Sequence, residues 1–591
     1  MVVDSLRGKR IGIVFFAITI ACVCFLCHAK FTSAAINITN VSPDSGLIAG
    51  GTNVTITGSG FEAQHAFGQV SAGGYHSLAL DRAGDLYTWG RDDTGQVGNG
   101  SPTANVTTPW QLNGGTGSGI PDTTKFKTIA TGNFHSMAID EAGNLYTWGQ
   151  NNYGQIGNGN ASGYVDAPWQ VNGSTGSGIP DTTKFKAIAG GAYFSLAIDE
   201  TGNLYAWGYD NYGQIGNGSV TGNVTTPWQI NGGTGSGIPD TTKFKNIIAG
   251  SYHSLAIDEA GNLYVWGYDN QGQIGNGSVT GNVTTPWKLN GGAGSGIPDT
   301  TKFKNIAGGA YFSMAIDEAG NLYVWGQDNY GQIGNGSPTA NVEAPWQVNG
   351  GTGSGVLDTT KFKTIAAGNY HSMAIDEAGN LYVWGYDAQG QIGNGSITGN
   401  VTTPWQLNGG VGSGIPDTIK FAAVAARIYF SVAIDESGNL YAWGQNNYNQ
   451  IGSGSSTSDV TAPKNIMEFS PTFVAPIPTV SLGGSTCIVT SWTNTEIVCT
   501  TSAHAAGLVD VTIDNSIDIF TLADAFTYID PTIPTPLSPD PGSPDSNPLE
   551  TPDTGSFSQK DTVFLAIIFG TISALASAMI FVVHRKIQEK G

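Results

Sequence analysis

Apolar and polar positions along this chain fall into short runs that return at a fixed step. From Phe362 the sequence reads FKTIAAG, HSMAID and LYVWG, followed by a weaker TPWQLN. Runs this short, rich in aromatic and β-branched residues and bounded by Gly and Asn, predict strands rather than helices. DEAGN, between the second and third runs, predicts a hairpin turn in which Gly supplies the positive φ. The Trp of the third run recurs at Trp89, Trp148, Trp207, Trp266, Trp325, Trp384 and Trp443, always at an interval of 59. A proline keeps the same step, from Pro109 to Pro463. Four strands per unit, repeated seven times, predict the blades of a closed β-propeller, because one blade cannot bury both of its faces alone. The alternative is an open β-solenoid, for whose rungs a 59-residue step with a long Gly-rich loop is too long.

Composition supports strands and tight turns. Gly accounts for 85 of 591 residues, and Gly disfavours helix by roughly 1 kcal/mol per position. Charged residues make up only 12%, yet the net charge is −21. A chain so poor in Lys and Arg has no footprint for phosphate backbones, which excludes nucleic acid as a partner class.

The two ends predict an exported, anchored protein. Arg7, Lys9 and Arg10 precede an apolar stretch from Ile11 to Cys27, and Ser33-Ala34-Ala35 offers small residues for cleavage, so residues 1–35 read as a signal peptide with a helical apolar core. An uncleaved N-terminal anchor is the alternative. Val563 to Val583 is uncharged and long enough to span a bilayer as a helix, and His584, Arg585, Lys586 and Lys590 follow it. Residues 531–553 are rich in Pro, Ser and Asp and read as an extended spacer. Of five cysteines, three lie in the signal segment. Cys487 and Cys499 remain, and an even pair in an exported chain predicts a disulfide, two free thiols being the alternative.

Three stretches resemble known families. The string AAGNYHSMAIDEAGNLYVWGYDAQGQIGNG resembles the repeat of the regulator-of-chromosome-condensation family, whose members form seven-bladed propellers. The resemblance covers roughly residues 66–467, and the insert NGGTGSGIPDTTKF departs from it by lengthening each unit with a loop on one rim. INITNVSPDSGLIAGGTNVTITGSGF, residues 36–61, resembles the start of an IPT/TIG immunoglobulin-like sandwich, and the LGG, CTT and AFTY blocks after the last unit resemble its second half. The propeller is therefore expected inside a loop of the sandwich, with Cys487 and Cys499 on neighbouring strands. TPDTG, ahead of the apolar span, resembles a cell-wall sorting motif: Pro552, Thr554 and Gly555 match, whereas Thr551 stands where Leu is usual and Asp553 fills the variable place. By that resemblance a sortase would cut between Thr554 and Gly555; a permanent membrane anchor is the alternative.

The expected class is therefore all-β, a seven-bladed propeller plus an immunoglobulin-like β-sandwich, with an N-terminal signal helix and a C-terminal transmembrane helix. The expected order is signal peptide 1–35, first part of the sandwich 36–61, propeller 62–471, second part 472–530, Pro-rich linker 531–553, and sorting signal, transmembrane segment and basic tail 554–591.

Candidate chemistry is sparse. His76, His135, His253 and His371 share a repeat position that Phe194, Phe312 and Phe430 fill in the other units, which predicts packing rather than a metal ring. The Asp-Glu pairs of the hairpin turns, such as Asp140-Glu141, read as a solvated rim. No nucleophile constellation, P-loop or zinc spacing stands apart from the repeat, so no enzyme, cofactor or metal is expected. What varies between units is the loop after the third run. Arg91, Tyr209, Tyr268 and Tyr386 stand two residues after Trp, and Tyr153, Tyr212, Tyr330 and Tyr448 three further on. Symmetry places them as rings on one rim, and Tyr beside Asn and Gly suits a contact surface; drift on an unused loop is the competing account. The expected function is binding or adhesion by a propeller displayed on the cell surface, wall-linked or membrane-anchored, towards an extracellular protein or glycan. Alternatives are an extracellular enzyme inhibitor and, through the family resemblance, a guanine-nucleotide exchange factor, which the signal peptide opposes.

Overall fold

The computed structural model describes residues 36–531 apart from 60–65, 455–457, 469–477, 493–494, 515–518 and the single positions 103, 221, 280, 339 and 398. The signal peptide, the sorting motif Thr551–Gly555 and the apolar span lie outside the described residues. Among the described residues no helix is long and apolar enough to cross a membrane.

Seven four-stranded antiparallel sheets follow one another, at 67–111, 126–170, 185–229, 244–288, 303–347, 362–406 and 421–465. In the fourth, the strands are Phe244–Ala249, His253–Asp258, Leu263–Gly267 and Val283–Lys288, numbered here from the inner edge outward. The second strand is buried at every residue because apolar and small side chains fill both of its faces. The outer strand is half-buried throughout, apart from Pro286, and so tolerates Pro. The Gly after each Trp ends the third strand. At Gly208 φ is +109° and a Cβ would lie 2.6 Å from the Tyr193 carbonyl oxygen, so only Gly fits. The pairing with the outer strand shifts register between Ala206 and Gly208, and this bulge aims the following loop across the blade top.

Neighbouring blades are joined by one repeated set of bonds. Trp207 Nε1 and Ser195 Oγ both donate to the Gln155 carbonyl of the preceding blade, at 2.9 and 2.8 Å. The ring is closed by the same set. Trp89 Nε1 and Ser77 Oγ donate to the Gln450 carbonyl at 3.0 and 2.8 Å, and Phe67 N donates to Gly438 O at 3.0 Å. Each blade takes all four strands from one unit, so no strand is shared across this seam.

Both chain ends enter a single further sheet. Asn53–Ser59 pairs with Glu496–Thr501, and Ser45–Leu47 pairs in parallel with Ile519–Ile529. Ile38, Val54 and Ile56 share one buried core with Val480, Ile497, Val511 and Phe526. Neither segment alone would cover its apolar face, so residues from both sides of the propeller complete one domain. Cys487 and Cys499 form a disulfide between adjacent strands, with Cα atoms 5.5 Å apart. Closing so short a loop restricts the unfolded chain by about 3 kcal/mol.

Candidate functional site

Strand direction sorts the connections between the two rims. The hairpin turns and the inserts of the NGGTGSGIPDTTK type lie at one rim. The Gly-x-Tyr turn before the second strand and the loop after Trp-Gly lie at the other. The first rim is charged, with an inter-blade ladder running from Lys127–Glu200 (3.4 Å) through Lys186–Glu259 (3.6 Å) to Lys363–Glu436 (3.8 Å).

The second rim is aromatic. An inner ring of half-exposed residues surrounds the axis: Tyr75, Phe134, Tyr193, Tyr252, Tyr311, Tyr370 and Tyr429. Successive members approach closely, with centroids 5.8 Å apart for Tyr75–Phe134, 5.9 Å for Tyr252–Tyr311 and 6.2 Å for Tyr370–Tyr429. The rim residues expected from sequence lie outside this ring and interlock with it. Tyr153 packs on Tyr193 at 4.8 Å and on Tyr209 at 5.1 Å. Tyr212 packs on Tyr252 and Tyr268, Tyr330 on Tyr370 and Tyr386, and Tyr448 on Tyr75 at 5.0 Å. Arg91 stands over the rings of Tyr75, Phe134 and Tyr448 at 4.9–5.5 Å and pairs with Asp93. Offset and edge-on ring contacts of this kind hold the side chains rigid. Sequence reasoning missed the inner ring, although the position before each His or Phe of the second strand is aromatic in all seven units.

Beneath the rim the polar groups are unevenly matched. A buried Gln sits under each loop and its Oε1 accepts from the backbone, as Gln214 does from Tyr212 N at 3.0 Å. Where the residue two after Trp is also Gln, the buried Nε2 has a partner: Gln155 reaches Gln150, Gln332 reaches Gln327 and Gln450 reaches Gln445, at 3.3–3.4 Å. Where that residue is Arg91, Tyr209, Tyr268 or Tyr386, the Nε2 of Gln96, Gln214, Gln273 or Gln391 has no partner among the described residues. A buried amide left unpaired costs about 1–3 kcal/mol. Tyr209→Gln is thus expected to raise stability by about 1 kcal/mol by restoring the bond seen in three other blades, measurable as a higher chemical denaturation midpoint.

The same loops hold five buried carboxyls. Asp92, Asp210 and Asp269 are pushed up to about 7, and Asp328 and Asp387 to about 6, by burial. Their Oδ1 accepts from the backbone, as Asp210 does from Ile215 N at 3.0 Å, while Oδ2 of Asp92, Asp210, Asp328 and Asp387 lacks a partner. Asn151 and Asn446 occupy this position in two blades, and Asn151 Nδ2 donates to Asn158 Oδ1 at 3.0 Å. Asp210→Asn is expected to stabilise the protein by about 1–2 kcal/mol above pH 7, where the native carboxyl must ionise in place, and by less at pH 5; urea titration at both values measures it.

Arg427 breaks the repeat. Six units have Gly at its position, where a Cβ would collide with the following His or Phe ring, as at Gly132 and Gly191. Here the inner strand runs on to Arg427, and Ile428 takes φ 42°. The guanidinium is buried. It donates to Asn133 Oδ1 at 3.0 Å and to the carbonyls of Gly190 and Ala249 at 3.2 and 3.4 Å, so blade seven is tied to blades two, three and four. Burial lowers it to about 10.

The histidines lie inside the ring walls. His76, His135, His253 and His371 are wholly buried, and each Nε2 meets the Ser of the next blade at 2.8–2.9 Å. No cluster of His, Cys, Asp or Glu that could hold a metal occurs among the described residues.

A ring of seven blades sealed by a repeated Trp–carbonyl bond and carrying an aromatic rim defines a closed seven-bladed propeller. The RCC1-like domain model matches residues 49–295, models of the regulator of chromosome condensation (RCC1) repeat match 319–375 and 437–489, with a second form at 303–332, 362–391 and 422–450, and the IPT/TIG domain model matches 469–528. The blades form an RCC1-like seven-bladed propeller, and the chain carries an IPT/TIG domain, whose sheet also takes in strands from the segment ahead of the blades. It is 29% identical over 398 residues to the ultraviolet-B receptor UVR8 of Arabidopsis thaliana, covering 67% of this chain and 81% of that one. It is 29% identical over 329 residues to human E3 ubiquitin-protein ligase HERC2, covering 55% of this chain and 6% of that one. Among solved structures it is similar to human WBSCR16 (TM-score 0.52, 18% identity, 71% and 99% covered) and to Prp20p of Saccharomyces cerevisiae (TM-score 0.53, 22% identity, 75% and 94% covered), likenesses of fold alone.

Proposed function

We propose that this protein is a non-enzymatic binding propeller, displayed outside the cell, that captures an extracellular macromolecule on its aromatic rim. The observation that carries the reading is the unpaired Gln amide beneath Arg91, Tyr209, Tyr268 and Tyr386. Drift among duplicated units would favour the Gln that pairs the amide; keeping Tyr at three of these places and Arg at the fourth sacrifices stability for contact surface, a trade met at functional surfaces. The family supports interaction as the activity: a relative of the same fold, yeast RCC1 (Prp20), was solved bound to Kap60, and Prp20p is described with binding to Gsp1p and histones. Display outside the cell rests on the apolar stretches at 11–27 and 563–583 and on TPDTG.

Tyr209→Gln, Tyr268→Gln and Tyr386→Gln combined should raise stability while weakening retention of the partner on intact cells. Equal retention by this variant, or failure of externally added antibody to label the propeller, would overturn the proposal. Mass spectrometry of the mature C-terminus should find it ending at Thr554 joined to wall material; an intact tail would instead mean a membrane anchor.

A further inference from the structure

The chemistry of the partner is narrowed by three properties of the rim. The first is charge. In the first turn after Trp-Gly, the exposed position is Asn152, Asn211, Asn270, Asn329 or Asn447 in five blades, Ala388 in another, and Asp93, already held by Arg91, in the last. On this rim the only solvent-accessible charges without an ion pair among the described residues are the half-buried carboxylates Asp166, Glu343 and Asp459, beside the start of the outer strand, while the Lys–Glu ladder occupies the opposite rim. A partner recognised here is selected by stacking and amide hydrogen bonds, not by ion pairing.

The second property is shape. Open clefts of about 360 Å³ beside Tyr441 and Pro463, and about 270 Å³ beside Gly68 and Phe126, both lie at the charged rim. The aromatic rim is a belt of half-exposed ring faces. Protein hot spots insert an anchor side chain into a desolvated pocket, whereas a belt suits flat, ring-shaped groups laid against it. The third property is repetition. Inner-ring aromatics recur once per blade, and a ligand made of identical units can engage several blades at once, so that weak single contacts add by effective concentration. A globular protein surface has no such period.

On the reading that the aromatic rim is the binding surface, we infer that its ligand is a neutral polysaccharide, whose pyranose faces stack on the Tyr rings while its hydroxyls bond to the Asn and Gln amides between them. Tyr153, Tyr212 and Tyr330 supply the outer stacking faces and Tyr193, Tyr252 and Tyr370 the inner ones. Single sugars are expected to bind weakly and long chains strongly.

The test is retention of the full-length protein in native affinity gels cast with dextran, galactomannan or hydroxyethylcellulose, with hyaluronan as an acidic polymer, followed by titration with oligosaccharides of increasing length. The informative variant combines Tyr153→Gln, Tyr212→Gln and Tyr330→Gln, because Gln271 and Gln389 already occupy this position in two blades and the fold accepts it. A Lys186→Ala, Glu259→Ala variant controls for the charged rim. The expected result is retention by at least one neutral polymer, strengthening with chain length, unchanged at about 0.5 M salt, weakened about tenfold or more in the Tyr variant and unaltered in the control, with both variants folded and keeping the parent's circular-dichroism spectrum at the assay temperature. No retention by any neutral polymer, or retention that salt abolishes, would overturn the inference. Tyr-dependent capture of a protein partner without polysaccharide binding would also overturn it while leaving the rim as the binding surface.

Discussion

Replacing His76, His135, His253 and His371 together by Phe is expected to leave stability near pH 8 little changed and to raise it steeply in acid, by on the order of 2 kcal/mol per site at about pH 4.5. Burial, with Arg427 adding its charge at three of the four, pushes these imidazoles from 6.5 down to about 3. Below pH 6.5 the unfolded chain takes up protons that the fold refuses, so this stability is complete above 6.5 and drains away as pH falls towards 3. Phe takes up no proton and removes the loss. The substitution is sterically tolerated, since Phe194, Phe312 and Phe430 occupy the same place with no exposure, and the Ser that loses its His partner keeps its bond to the Gln carbonyl, as Ser254 does at 2.9 Å behind Phe194. In the parent protein the raised carboxyls act with the opposite sign. Asp92 and its four counterparts hold protons in the fold that the unfolded chain releases near 3.8, so they add stability as pH falls. The parent's pH profile is therefore a difference between two opposed sets, and urea titrations from pH 4 to 8 on parent and variant separate them. Equal acid sensitivity in both would show that the imidazoles are not held neutral.

Trp89→Ala and Trp266→Ala are expected to destabilise the protein by the same amount, about 3–5 kcal/mol each. Both indoles are fully buried and donate to a Gln carbonyl of the preceding blade, at 3.0 and 2.9 Å. Trp266 joins consecutive blades, whereas Trp89 joins the last blade to the first across 361 residues of sequence. In an open stack Trp89 would lie at a free end and its loss would matter little. Denaturation followed by tryptophan fluorescence compares the two directly, and a much smaller effect at Trp89 would contradict ring closure.

Much of this architecture is legible in the residues. The 59-residue step of Trp and Pro marks the blades because the same inter-blade bond must be made at every seam. The Phe that replaces His in three units marks that position as packing. Cys487 and Cys499 fall on adjacent strands, and strands from both ends of the chain share one eight-stranded sheet where two packed sheets were expected. The rim was only partly legible. Tyr153, Tyr209 and their counterparts stand out because they vary, but Tyr75 and the rest of the inner ring are constant, and a constant aromatic reads as core until the turn that exposes it is seen. The coupling of Tyr209 to the orphaned Gln214 amide was hidden for a different reason: it depends on which atoms meet beneath a bulge, and spacing alone does not reveal that. Arg427 was visible as one departure among repeated glycines, yet its reach to three other blades follows only from the closed ring.

Because every blade draws its strands from a single unit, no strand crosses from the first blade to the last, and the bonds that Trp89, Ser77 and Phe67 make across that seam are reinforced by the sheet in which Asn53–Ser59 pairs with Glu496–Thr501. Tension applied between residues 36 and 530 would run through that small sheet and bypass the propeller, since the strand that precedes the blades is hydrogen-bonded directly to one that follows them. The cystine between Cys487 and Cys499 lies on that path. Under shear the disc would travel as an undeformed passenger, and its geometry would outlast pulls strong enough to unzip an exposed hairpin.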